Sequence, residues 1–190
     1  KPPVPHPRRP RHTSRLSNAR YDSNTVGVTD SGTGDVKENV VQICQYGFTE
    51  IFNNAIEHSQ SNEVTTGVRR NAVMICLSVS DSGVGIFSKL QRDLNLDDPH
   101  HALLELTKGK LTTDPKRHTG EGLFFTSRMF DSFSIMSGDL FFNASIGDDR
   151  WRIETESREP IVGTQVEMSI RADSKRTQRE IFEKYSGKPN

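Results

Sequence analysis

Cysteine is scarce in this chain: Cys44 and Cys76 are the only two, each set inside an apolar run. That excludes a disulfide framework and reads as two buried free thiols in a reducing compartment. An excess of charge of one sign is missing as well. The 25 Lys and Arg balance the 25 Asp and Glu, so no overall field draws the molecule to nucleic acid. No stretch approaches the roughly 18 consecutive apolar residues of a membrane span. The Pro-rich start lacks the apolar centre of a signal peptide, and no internal repeat is found. These absences lead to the expectation of a soluble, cytoplasmic protein. Its 190 residues have room for one ordinary domain and an extension.

Several local signatures are absent too. There is no G-x-x-x-x-G-K-[ST] loop, no G-x-G-x-x-G fingerprint and no G-x-S-x-G elbow. Asp97, Asp98, His100 and His101 stand close together, but at the spacing of no standard metal site, and read as a surface loop.

What is present is uneven along the chain. Residues 1–34 open with five prolines in ten positions. Lys1, Arg8, Arg9, Arg11, Arg15 and Arg20 all precede the first acid, Asp22, and small polar residues fill Thr13 to Gly34. Such a segment buries little apolar surface and is expected to be a Pro/Arg-rich tail or linker. From there, Asp35 is the expected cap of a helix reaching about Ser59. Its stripe is Val36, Val40, Ile43, Cys44, Phe48, Ile51, Phe52, Ala55 and Ile56, with Gly47 as a candidate kink. Strands are expected at Val64–Val68 and Ala72–Ser80, joined at Arg69-Arg70-Asn71, the second apolar enough to be central. Short helices follow at Ile86–Leu94 and Ala102–Leu106, then a Lys- and Thr-rich stretch, Lys108–Thr119. A helix is expected from Gly122 to about Phe130, then strands at Phe133–Ser137, Leu140–Ile146, Arg150–Glu156 and Thr164–Arg171. Residues 174–190 are expected as a polar C-terminal helix or linker beyond a domain spanning 35–173. The expected fold is an α/β (α+β) two-layer sandwich, a mixed, mainly antiparallel sheet with helices on one face.

Four segments carry chemistry. In the first helix Glu50 and Asn54 are one turn apart on one face. A carboxylate there can deprotonate a nucleophile, and an amide oxygen one turn on suits a hard cation such as Mg²⁺. Asn53-Asn54 is an unusual pair for mid-helix, since Asn is a mediocre helix former. Asp81 ends the apolar strand, with Gly83 and Gly85 allowing the backbone to turn close to a ligand. Its carboxylate can accept a hydrogen bond from an exocyclic amine, although Asp-Ser-Gly also makes an ordinary turn. Gly120 and Gly122 precede a helix, whose first N–H groups favour an anion. Lys108, Lys110, Lys116 and Arg117 lead into them. Thr164 follows Gly163 at the start of the last strand. His58 ends the first helix, where a cation suits the dipole.

In this order the segments Glu50-x-x-x-Asn54-Ala55-x-x-His58, Asp81-Ser82-Gly83-Val84-Gly85, Gly120-Glu121-Gly122-Leu123 and Gly163-Thr164 resemble the N-box, G1, G2 and last-strand Gly-Thr of the Bergerat, or GHKL, ATPases. That group includes gyrase, heat-shock chaperone ATPases, mismatch-repair ATPases and sensor histidine kinases. The resemblance spans about residues 36–171. It implies a Bergerat ATP-binding fold with ATP and Mg²⁺ as ligands. Glu50 would be the general base and Asn54 the metal ligand. Asp81 would accept from adenine, with Gly83 and Gly85 at the pocket wall. Gly120, Gly122 and Leu123 would form the phosphate loop, and Thr164 would lie near adenine. The first segment is most similar to bacterial anti-sigma-factor serine kinases and stand-alone histidine-kinase-like regulatory domains. Glu57-His58 stand where sensor kinases carry a basic residue, and no phosphoacceptor histidine box is found. Both features favour a serine-kinase-like activity over a histidine autokinase. Gly122-Leu123-Phe124-Phe125 is bulkier than the usual G2 box.

Three functions follow as expectations. The first is ATP hydrolysis or transfer of the γ-phosphoryl to a protein acceptor. The second is a nucleotide-gated protein-interaction module with little or no catalysis. The third, contact with nucleic acid through the basic tail, has no aromatic support there beyond Tyr21 and is not expected of the domain alone.

Overall fold

The computed structural model describes residues 12–15, 35–98, 100–102, 121–145, 152–155 and 160–186. The rest of the expected tail, the Lys108–Thr119 stretch, Gly120 and most of the helix expected at Ala102–Leu106 lie outside the described residues.

The first long helix, α1 (Glu38–His58), forms where the apolar stripe was read. Its start lies later than Asp35. Lys37 is the N-cap and makes no side-chain capping bond. The start is set instead by contacts distant in sequence: Lys37 Nζ donates to the Asp173 carbonyl at 2.8 Å. Asn39 Nδ2 donates to the carbonyls of Ser174 and Arg176 at 3.0 and 2.7 Å. The helix runs through Gly47 without a break. That glycine makes room for a neighbour, because a Cβ there would collide with the ring of Phe130.

The strands are β1 (His12–Arg15), β2 (Glu63–Arg70), β3 (Met74–Asp81), β4 (Ser132–Gly138), β5 (Leu140–Ser145), β6 (Arg152–Thr155) and β7 (Ile161–Arg171). They form one sheet in the order β1-β2-β3-β7-β4-β5-β6. Every pairing between described strands is antiparallel. The link between β2 and β3 falls at Asn71–Val73 rather than Arg69–Asn71. The Asn71 side-chain oxygen closes it by accepting from Val73 N at 2.9 Å and Met74 N at 2.8 Å.

Alternation along the strands gives the sheet two unlike faces. Ile75, Leu77 and Val79 of β3 stand opposite Ile170, Met168 and Val166 of β7. Met168 and Val166 in turn face Phe133 and Ile135 of β4, which pair with Ala144 and Phe142 of β5. All of these are buried. The other face carries Ser78, Ser80, Ser132, Ser134, Glu167 and Ser169. Against the apolar face lie α1 and the helix α3 (Gly122–Met129), which also pack on each other; α2 (Ile86–Asp93) contacts β4. Met129, Phe130 and Phe133 are wholly buried, and each such side chain contributes about 1.5–3 kcal/mol relative to exposure.

The last described helix, α4 (Gln178–Tyr185), is polar but turns one apolar side to the core. A capping box opens it: Thr177 accepts from Glu180 N, and Glu180 accepts from Thr177 N. Ile181 is buried, and Phe182 meets Phe125 edge-on at 4.7 Å and Tyr46 at 5.5 Å. No described helix is long and apolar enough to cross a membrane.

Candidate functional site

Strand register brings two of the expected residues side by side. Asp81, the last residue of β3, pairs with Thr164 near the start of β7. Thr164 pairs on its other side with Ser137 of β4. Asp81, Thr164 and Ser137 thus form one row across three strands, at the end where the apolar face gives way to polar side chains. Thr164 and Ser137 are 8% and 3% exposed, so their polar atoms need partners inside the protein.

Those partners tie the surrounding loops together. Asp81 Oδ1 accepts from Gly83 N at 2.9 Å, and the carboxylate also accepts from the Thr164 backbone N–H. Burial pushes the Asp81 carboxyl above the usual carboxylate range, and these two hydrogen bonds only partly oppose the shift. Thr164 Oγ1 accepts from Ile86 N, the first residue of α2, at 3.0 Å. Ser137 Oγ donates to the Gly163 carbonyl at 2.8 Å.

The glycines stand where backbones approach closely. Gly85 and Gly163 have φ of +79° and +81°, the left-handed region that glycine enters without strain. A Cβ on Gly163 would run into the Asp81 carbonyl, and one on Gly83 into the Ser59 carbonyl just beyond α1. Val84 N donates to that same Ser59 oxygen at 2.8 Å, fastening the Asp81 loop to the end of α1.

The other half of the site joins α1 to α3. A Cβ on Gly122 would occupy the place of the Glu50 carboxylate, so Glu50 lies directly against the first residue of α3. Asn54 is half-buried one turn further along α1. Leu123 is partly buried and packs on the core. Gly120 lies outside the described residues.

Two residues that sequence reasoning passed over belong here. Tyr46 is one turn before Glu50, and its ring meets Phe182. Burial first, and then the charges of Glu50 and Glu121, raise its hydroxyl well above the ordinary tyrosine value. The i, i+4 spacing to Glu50 was the available signal. Ser137 gave none, because only the register reveals its neighbours.

Other candidates stay apart from this site. His100 Nδ1 and the His100 backbone N both contact Asp98 Oδ1, at 2.6 and 2.7 Å, in a local loop contact. Among the described residues no group of three or more His, Cys, Asp or Glu is arranged to hold a metal. Cys44 and Cys76 are free thiols.

A family model described as a histidine kinase-like ATPase domain matches residues 28–140. The matched region contains Glu50, Asn54, Asp81, Gly122 and Ser137 but ends before Thr164, which strand pairing joins to the rest. No curated protein matches the chain.

Proposed function

We infer the function of this chain from its family: it belongs to the histidine kinase-like ATPase domains. The chain acts as an ATP-binding regulatory domain that hydrolyses ATP or passes its γ-phosphoryl to a protein hydroxyl. The observation that carries this reading is the contact of Glu50 with Gly122. It joins a carboxylate suited to proton transfer to the start of a helix suited to phosphate. The paired Asp81 and Thr164, with the close-turning Gly83 and Gly85, supply the opposite, base-binding end. Gly120 and Leu123 complete the proposed phosphate loop from either side of Gly122.

In this reading Asp81 accepts a hydrogen bond from the adenine amine. Its burial raises the cost of its charge, and a donor from the ligand offsets that cost. Thr164 uses a hydroxyl lone pair on Ile86 N and keeps its proton to donate toward the base or a bridging water. Glu50 takes the proton of the attacking hydroxyl as its oxygen bonds to the γ-phosphorus and ADP leaves. Without a cluster of protein ligands among the described residues, Asn54 fits Mg²⁺ through its amide oxygen, a hard donor, with phosphate oxygens and water completing the shell. Bound there, the ion would draw charge from the phosphate oxygens. The residues after Asn54-Ala55 favour a serine-kinase-like activity in a bacterial, cytoplasmic signalling protein.

The test is calorimetric titration with a non-hydrolysable ATP analogue and Mg²⁺, beside turnover measurements. Asp81→Asn is expected to weaken binding by about 10- to 100-fold, the worth of a hydrogen bond to a charged group. Glu50→Ala is expected to bind normally and lose about 10²–10⁴ in turnover. Binding without Glu50-dependent turnover would leave a nucleotide-gated interaction module. No binding by the wild type would end the nucleotide reading.

A further inference from the structure

Ser137 is buried, lies on a strand that none of the four expected segments includes, and touches both glycine turns of the Asp81 end. Its hydroxyl donates to the Gly163 carbonyl at 2.8 Å. A Cβ on Gly85 would come within 2.7 Å of Ser137 Oγ. The Gly163 carbonyl and the Thr164 N–H belong to one peptide group, which is planar and rigid. Thr164 is paired with Asp81, and its N–H favours the charged carboxylate. Ser137 Oγ–H, the 163–164 peptide and Asp81 therefore stand in series, and a hydrogen bond to the peptide carbonyl makes its N–H a stronger donor. The turn itself is irregular: Gly163 has a positive φ, and the β4–β7 register shifts at Ser137/Gly138.

We propose that Ser137 is a positioning residue for base recognition, fixing the 163–164 peptide so that Asp81 presents its carboxylate to the 6-amino group of adenine. This rests on the nucleotide reading above. The role is selective, since the hydroxyl acts on the two glycine turns of the Asp81 end.

The experiment is calorimetric titration of the full chain with Mg²⁺–ATP and with Mg²⁺–purine riboside triphosphate, which lacks only the 6-amino group. The wild type is expected to prefer ATP by about tenfold or more, the worth of one charge-assisted hydrogen bond. Ser137→Ala is expected to cut that preference to within about threefold, while affinity for the purine analogue moves less than about twofold. Ser137→Cys fills nearly the same space with a weak donor and is expected to behave like the alanine variant, separating the bond from the volume. Ser127→Ala serves as the control. It removes a buried hydroxyl that donates to the Phe124 carbonyl at 2.8 Å on α3 and is expected to keep the preference. Equal weakening toward both ligands in Ser137→Ala, or full preference retained in Ser137→Cys, would overturn the proposal. A wild type that binds both nucleotides equally would instead remove Asp81 as the amine acceptor, and this role with it.

Discussion

Gly122 leaves the room that the end of the Glu50 side chain occupies. A methyl group at position 122 would take the volume now filled by the end of the Glu50 side chain. That end is flexible, so it can swing aside at little cost to folding. Alanine at the first residue of α3 also brings some helix propensity. Gly122→Ala is therefore expected to leave the melting temperature within a few degrees while turnover falls by about 100-fold, as when a reacting group is displaced by about 1 Å. Turnover and thermal melts of the same preparation would check this. Unchanged turnover would mean that Glu50 does not work from this position. At this scale the sequence was readable where a residue type is unusual for its place. Asn54 in mid-helix and Asp81 ending an apolar strand are examples. Ser137 is an ordinary strand serine, and its meaning depends on a register that no single segment contains.

The elements show the same division between local and distant causes. Gly47 read locally as a candidate kink, because glycine weakens helices. In the fold it is where α1 passes over Phe130, and the side chain it lacks is what permits the approach. Gly47→Ala is expected to destabilise the protein by about 1–3 kcal/mol through overpacking. Against that stands the roughly 1 kcal/mol that alanine gains in helix propensity, so the net loss is up to about 2 kcal/mol. Urea denaturation would measure it, and a more stable variant would show that Phe130 can move aside. Most elements were legible because period-2 and period-3.6 patterns are local properties of the chain. Their ends were less so: α1 starts at Glu38 because Lys37 and Asn39 are held by residues 173–176, far along the sequence. The apolar side of α4 went unread for the same reason. Ile181, Phe182 and Tyr185 look sparse until Tyr46, Phe124 and Phe125 are brought to them.

Among the described residues a single apolar layer lies between one face of the sheet and the helices. Groups trapped in that layer report on folding as a unit, and Cys44 is the clearest. Burial pushes its thiol from 9.0 to about 12. Below pH 9 the thiol is protonated in both the folded and the unfolded chain, so it adds no pH dependence. Between pH 9 and 12 the unfolded chain gives up the proton and the folded one keeps it. The folded state then binds more protons, and stability falls as pH rises, by at most about 1.4 kcal/mol per pH unit. Cys44→Ala removes this contribution. Its melting temperature is expected to fall less steeply than that of the wild type between pH 9 and 10.5. The raised Tyr46 hydroxyl is common to both proteins and cancels in the comparison. Parallel curves would mean that water reaches the thiol, and that the layer between α1 and the sheet opens without global unfolding. The alkaline melt therefore tests whether the helix carrying Glu50 and Asn54 is held to the sheet as one cooperative unit.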